Sequence, residues 1–271
     1  QMYDFKLSNS LSCKMIEPQK QYHIQYDRNG FKLDLVWTAT ALPHYMKLKK
    51  SGEEDPGIKN WVKKEGDFSV GHYEHAGRFK GWIEVEGERI EIDCGALRDR
   101  GWGPRHADVA DPLRAGWPYC FANENSGWHL YDPQTILKFE DDPIEGTTET
   151  VTTGFYIRDG IMSQVVSGTR TAVRGRDGRV LSQEIICTDE LGRTLHAKGQ
   201  TMNWLKWPIN SDIINWWSMV KWEYDGLVAY GEDQDFMNFK HYRRYWKKLI
   251  EKDPGLLHCF PDSPDYPPYG K

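Results

Sequence analysis

Tyr22-His23-Ile24-Gln25-Tyr26-Asp27-Arg28-Asn29-Gly30-Phe31-Lys32-Leu33-Asp34-Leu35-Val36-Trp37 decides the fold class. Tyr22, Ile24 and Tyr26 alternate with polar residues, Asn29-Gly30 supplies a tight turn, and Phe31, Leu33, Leu35 and Trp37 alternate again. Alternation sends successive side chains to opposite faces of a strand, and Asn-Gly accepts the positive φ angles that a two-residue turn needs. The stretch is a β-hairpin.

The same pattern recurs outward along the chain. Ile83 and Val85 precede a turn at Gly87, and Ile90, Ile92 and Cys94 follow it in alternation with Glu91 and Asp93. Later turns are read at Asp159-Gly160, Asp177-Gly178, Gly192 and Asp225-Gly226, between runs rich in Val, Ile, Thr, Tyr and Trp. Regular hairpins predict an all-β protein of antiparallel barrels or sandwiches. One segment departs from period two: Phe236, Phe239, Tyr242, Trp246 and Leu249 recur at helical spacing within Asp235–Ile250, predicting a short C-terminal helix. A Pro-rich stretch follows from Phe260 to Lys271. A turn-rich segment near Asn123–Gly127 marks a boundary, giving halves of 1–125 and 126–271, the second carrying the helix and the Pro-rich tail.

The chain of 271 residues has 39% hydrophobic and 28% charged residues, the mix of a folded soluble protein. Its net charge of −5 comes from interspersed acids and bases, so neither a nucleic-acid footprint nor a basic membrane face is visible. No apolar run approaches the roughly 20 residues of a membrane helix, and Gln1–Ser12 has no basic segment followed by an apolar one. Cys13, Cys94, Cys120, Cys187 and Cys259 are odd in number and never form a Cys-x-x-Cys pair, which suits reduced thiols in a cytoplasm. Gly-x-Ser-x-Gly, phosphate-loop and His-Glu-x-x-His motifs are all missing. His72 and His75 suggest a metal pair, but odd spacing on a strand sends them to opposite faces. No metal and no cofactor is expected.

Two segments concentrate functional groups. Arg98-Asp99-Arg100-Gly101-Trp102-Gly103-Pro104-Arg105-His106 follows a strand, and its glycines permit a tight bend near Trp102. Asp99 reads there either as a proton donor or acceptor, with Arg98 and Arg105 fixing a polar end of a substrate, or as half of an ion pair closing a corner. His72-Tyr73-Glu74-His75 places Tyr73 with His75 on one face and His72 with Glu74 on the other. Whichever pair points inward is a proton-handling couple, and a buried Glu74 would have the raised pKa of a general acid. An exposed edge strand is the alternative. The chain also has 12 Trp, 14 Tyr and 10 Phe. Trp82, Trp117, Trp128, Trp204, Trp207, Trp216 and Trp217 are candidates to line a pocket or fill a core, and an indole face stabilises carbocation character by cation–π attraction.

Tyr73-Glu74-His75-x-Gly77, Gly81-Trp82-Ile83-Glu84-Val85 and Arg98-Asp99-x-x-Trp102-Gly103-x-Arg105 resemble the lipocalin-like superfamily that contains carotenoid 1,2-hydratases (hydroxyneurosporene synthases). Asp225-Gly226-x-x-x-Tyr230-Gly231-Glu232-x-Gln234 resembles the closing hairpin of that group. Relatives often carry His-Ser where this chain has Arg100-Gly101. The resemblance implies two lipocalin-like domains in tandem, an apolar tunnel and no cofactor, and the superfamily also holds cyclases and pericyclic catalysts.

Together these readings predict a cofactor-independent lyase of hydratase or dehydratase type, working by acid–base catalysis on an isoprenoid-like or aromatic small molecule. Glu74 or Asp99 would be the proton donor, Tyr73, His75 or His129 the relay, and Trp82, Trp102, Trp117 and Trp128 the aromatic wall. An isomerase or cyclase uses the same groups, and a non-catalytic carrier of a hydrophobic ligand needs none of them. The expected partner is that small molecule, with no nucleic acid and no stable membrane insertion.

Overall fold

The computed structural model describes residues 4–45, 71–102, 114–134, 147–175, 177–209, 213–252 and 254. The first seven strands are β1 (Asp4–Lys6), β2 (Ser12–Glu17), β3 (Gln21–Arg28), β4 (Phe31–Ala39), β5 (His44–Tyr45), β6 (Gly71–Val85) and β7 (Glu88–Trp102). They form one antiparallel sheet in the order β1-β2-β3-β4-β6-β5, with β7 on the other edge of β6. The Asn29-Gly30 turn joins β3 to β4, both residues at positive φ, and Arg28 lies opposite Phe31.

The remaining strands are β8 (Arg114–Gly116), β9 (Tyr119–Asn123), β10 (Ser126–Gln134), β11 (Thr147–Thr150), β12 (Thr153–Arg158), β13 (Ile161–Arg174), β14 (Val180–Asp189), β15 (Thr194–Pro208), β16 (Ile213–Tyr224) and β17 (Leu227–Asn238). β8 and β9 both lie between β10 and β17, one stave interrupted at Trp117-Pro118, where proline cannot donate to the ladder. β11 and β12 likewise pair in succession with β13, and β13 pairs with β14. That last pairing closes an antiparallel barrel of eight staves. The fold is therefore all-β, a lipocalin-like sheet and barrel in tandem with a short C-terminal helix.

The barrel interior is filled. At one end Trp128, Leu130, Tyr156, Ile185, Val220, Trp222 and Tyr224 form a core, with Trp128 and Trp222 edge to face at 4.7 Å. At the other end Arg114, Arg170 and Arg174 meet Asp132, Asp233 and Asp235, so the buried charges balance. Arg170 donates to Asp132 at 3.0 Å, to Asp233 at 2.6 Å and to Gln183 at 2.5 Å; Arg174 grips Asp235 at 2.6 and 3.1 Å. Helix α1 (Phe239–Lys252) covers this end, packing Phe239, Tyr242, Trp246 and Ile250 against Ile214 and Met237.

One local expectation differs from the structure. Helical spacing alone starts the helix at Asp235, but strand β17 runs on to Asn238, which pairs with Ile213. Asp235 and Met237 are needed on the barrel's inner face, where Asp235 answers Arg174. The tight bend expected around Trp102 rests partly on Gly103, outside the described residues; β7 itself continues from Glu88 through Trp102 in register with β6.

Candidate functional site

Strict alternation sets the wall between sheet and barrel. On β8, β9 and the Trp117-Pro118 link between them, and on β10 and β12, Ala115, Trp117, Tyr119, Phe121, His129, Tyr131, Phe155 and Ile157 point away from the barrel interior. They pack against Ala76 and Leu97 of β6 and β7. The approach is close: a Cβ on Gly95 would lie 2.3 Å from the Phe121 carbonyl oxygen. This seam holds the ionisable cluster.

His72 and Glu74 share one face of β6, and both are buried. His72 Nε2 and Glu74 Oε1 share a hydrogen bond of 2.6 Å. Asp99 stands directly opposite Glu74 on β7, with its Oδ1 3.4 Å from His72 Nε2. From the barrel side, the Trp117 ring lies edge-on to His72 at 5.4 Å and tilted to His129 at 4.9 Å. His44 pairs with Glu74 across β5 and β6, and its ring lies 5.4 Å from Phe155. Tyr119 donates to Glu232 at 3.0 Å, and Gln234 steadies the other Glu232 oxygen at 2.7 Å.

Burial pushes the Glu74 carboxyl well above its ordinary range; the Asp99 carboxylate adds to the shift, the Trp117 indole N–H opposes it, and Glu232 adds again. Burial drives His129 the other way, well below the imidazole range, helped by His44 and His72. Burial and Glu232 together raise the Tyr119 phenol. The arrangement brings a carboxyl raised in pKa, an imidazole lowered in pKa and an indole face together in one buried seam. Asp99, 60% exposed at the side chain, connects it to solvent. The His72, Glu74 and Asp99 donor atoms lie within 4.8 Å of one another, close enough to share one small cation, and no other described residues group this way.

Of the sequence-predicted residues, Glu74, Asp99, His129 and Trp117 meet in the seam. Tyr73 and His75 do not: they occupy the opposite face of β6 with Arg98, Trp102, Tyr22 and Trp37. There Arg98 donates to the Tyr73 hydroxyl and lies 4.5 Å from the Tyr22 ring. His75 Nε2 bonds the Ala41 carbonyl at 2.7 Å, and Tyr73 contacts Trp102 at 6.1 Å. The Arg98–Asp99 pair weighed from sequence does not form, because neighbours on a strand point to opposite faces. Trp128 is in the barrel core. Trp82 lies toward the far end of β6 under Arg89, at 4.3 Å. Arg105 lies outside the described residues. His72, His44, Tyr119 and Glu232 complete the seam and were not singled out as catalytic; the alternation that pairs His72 with Glu74 is the signal that points to the first.

The sequence profile of a family described as "Domain of unknown function (DUF7064)" matches residues 2–232. The chain belongs to the DUF7064 family. The matched DUF7064 segment includes every seam residue through Glu232 and stops short of helix α1. No curated protein matches the sequence. Among solved structures, this DUF7064 chain is similar to a protein of Nitrosomonas europaea described as a candidate AttH, at 17% identity and a TM-score of 0.53, over 86% of this chain and 69% of that one. That likeness shows the fold alone. Kievitone hydratase from Nectria haematococca matches at 11% identity and a TM-score of 0.46, over 82% of this chain and 66% of that one, and this likeness carries no argument.

Proposed function

We propose that this DUF7064 protein is a hydro-lyase that adds water to, or removes it from, a hydrophobic aromatic or isoprenoid-like molecule at the seam, without a cofactor. One observation carries the reading: Glu74 is completely buried against His72, with Asp99 and Glu232 as its charged neighbours, an environment that favours the protonated carboxyl a general acid needs. In the hydration direction Glu74 gives its proton to an alkene carbon. The resulting cation is faced by the Trp117 indole, and water adds to it while losing a proton through His72 or Asp99. Dehydration is the reverse. Arg98, Tyr73, His75 and Trp102 form a separate aromatic and cationic wall on the far face of β6, on the other side of the sheet from the reacting groups. The division into halves at 1–125 and 126–271 belongs to this reading too, with β8 and β9 hydrogen-bonded into the second sheet ahead of that point. So does a reducing, cytoplasmic setting, supported by four free cysteines among the described residues.

The filled barrel interior speaks against a carrier that stores its ligand there. Native mass spectrometry and solvent extraction of the purified protein identify a bound ligand, which is then incubated with wild type and Glu74→Gln. A mass change of one water with wild type alone supports the hydro-lyase. Conversion at constant mass means an isomerase or cyclase. A ligand bound equally and left unchanged by both proteins overturns catalysis at Glu74.

A further inference from the structure

The chain as a whole carries a net charge of −5, yet α1 carries Lys240, Arg243, Arg244, Lys247, Lys248 and Lys252 against the single acid Glu251. The apolar face of this helix is already used, because Tyr242, Trp246 and Ile250 pack on the barrel end. Arg243, Lys247, Lys248 and Lys252 are exposed. Beside the start of the helix lies the Ile213 end of β16, since Ile213 pairs with Asn238, the residue before α1 begins, and the Ile209 N–H donates to the Ile213 carbonyl at 3.0 Å. The adjoining stretch exposes large apolar side chains: Leu205 at 49%, Trp207 at 51% and Ile209 at 48%. Exposed aliphatic and indole side chains at the same end of the barrel as a basic helix face are the two features of an interfacial membrane site. The same end is near the seam. The Gln234 carbonyl accepts the Trp117 amide at 2.8 Å and lies four residues before Asn238, roughly 13 Å along the strand.

We propose that the helix-covered end of the barrel docks on an anionic lipid bilayer, with Arg243, Lys247 and Lys248 meeting the headgroups and Trp207 and Ile209 entering the interface. The helix supplies charge and Trp207 with Ile209 supplies the apolar anchor, so the protein sits on the membrane without spanning it. Among the described residues no helix is long and apolar enough to cross. A polyanion such as nucleic acid would use the lysines but would leave the indole and isoleucine exposed, which is why the bilayer is favoured. The proposal does not depend on the reaction, although a bilayer is where a hydrophobic substrate accumulates.

The test is co-sedimentation of the full chain with vesicles of mixed phosphatidylcholine and phosphatidylglycerol, against phosphatidylcholine alone. The expected result is binding to the mixed vesicles only, weakening as salt is raised. Combined Arg243→Gln, Lys247→Gln and Lys248→Gln lowers partitioning on the order of a hundredfold. Trp207→Ser with Ile209→Ser weakens it even at low salt, with unchanged far-UV circular dichroism. Should either variant misfold, quenching of wild-type tryptophan fluorescence by brominated lipids in mixed vesicles decides. No sedimentation, no quenching, or retention on heparin without vesicle binding overturns the proposal.

Discussion

Glu74 and Asp99 stand directly opposite each other across β6 and β7, yet Glu74 is fully buried and 60% of the Asp99 side chain is exposed. Two carboxyls at one register position thus meet different dielectrics. The Asp99 charge adds to the burial that raises the Glu74 carboxyl.

Glu74→Gln should abolish turnover, a loss of about a hundredfold or more if Glu74 is the general acid, and Asp99→Asn should cost less. Stability supplies a second readout. Because the folded-state pKa of Glu74 is raised above the ordinary 4.5, its contribution is fully present below that pH and is lost as pH rises through the raised value. Thermal unfolding of wild type should therefore fall on the alkaline side of pH 4.5, and Glu74→Gln should flatten that slope. An unchanged slope would count against a protonated Glu74.

His129 bears the opposite sign. Its folded-state pKa lies well below the ordinary 6.5, so its contribution is present above pH 6.5 and lost as pH falls toward the folded value. Neither ring nitrogen has a hydrogen-bond partner among the described residues, so protonation meets no compensating acceptor there. His129→Leu should make the acid limb of a stability–pH curve shallower by up to one proton, about 1.4 kcal/mol per pH unit. Chemical denaturation between pH 5 and 7 (about the window where imidazole titrates) measures it.

Gly95→Ala probes the seam without touching its chemistry. The new methyl would meet the Phe121 carbonyl oxygen at 2.3 Å, and backbone does not yield as a side-chain tip does. We expect about 1–3 kcal/mol of destabilisation and a drop in turnover per folded molecule, because β7 carries both Gly95 and Asp99. Loss of stability with turnover intact would show that the sheet and barrel faces need not be closely seated for the reaction.

Arg170→Met removes the hub of the barrel network and leaves Asp132 and Asp233 buried without their shared cation. A loss of about 3–5 kcal/mol is expected, the penalty of breaking one side of a buried ion pair. Burial already raises Asp233, held in check by Arg170, so the variant should be least destabilised at acid pH, where that carboxyl is neutral. Urea titration at two pH values tests both statements.

The sequence by itself determined the strands and their turns. Alternation in Tyr22–Trp37 and Gly81–Cys94, with Asn-Gly and Asp-Gly at the bends, is local chemistry that tertiary context had no reason to override, and residues such as Asn29, Asp159 and Asp225 adopt the positive φ those turns require. Alternation also sorted His72 and Glu74 from Tyr73 and His75. Which pair faced the seam was decided only by the tertiary structure, since both faces of β6 are buried there and period two cannot say which neighbour covers which. The same holds for Trp128 and Trp117: one fills the barrel and the other lines the seam because a closed sheet has an inside, and closure depends on the long-range pairing of β8 and β9 with β17. Tyr119 and Glu232, 113 positions apart, meet for the same reason. The helix start moved from Asp235 to Phe239 because a carboxylate demanded by Arg174 outweighed helical spacing. Sequence period fixes what a residue's neighbours on its own strand share; only the packed sheets fix what lies opposite, and there the dielectric and the pKa of Glu74 are set.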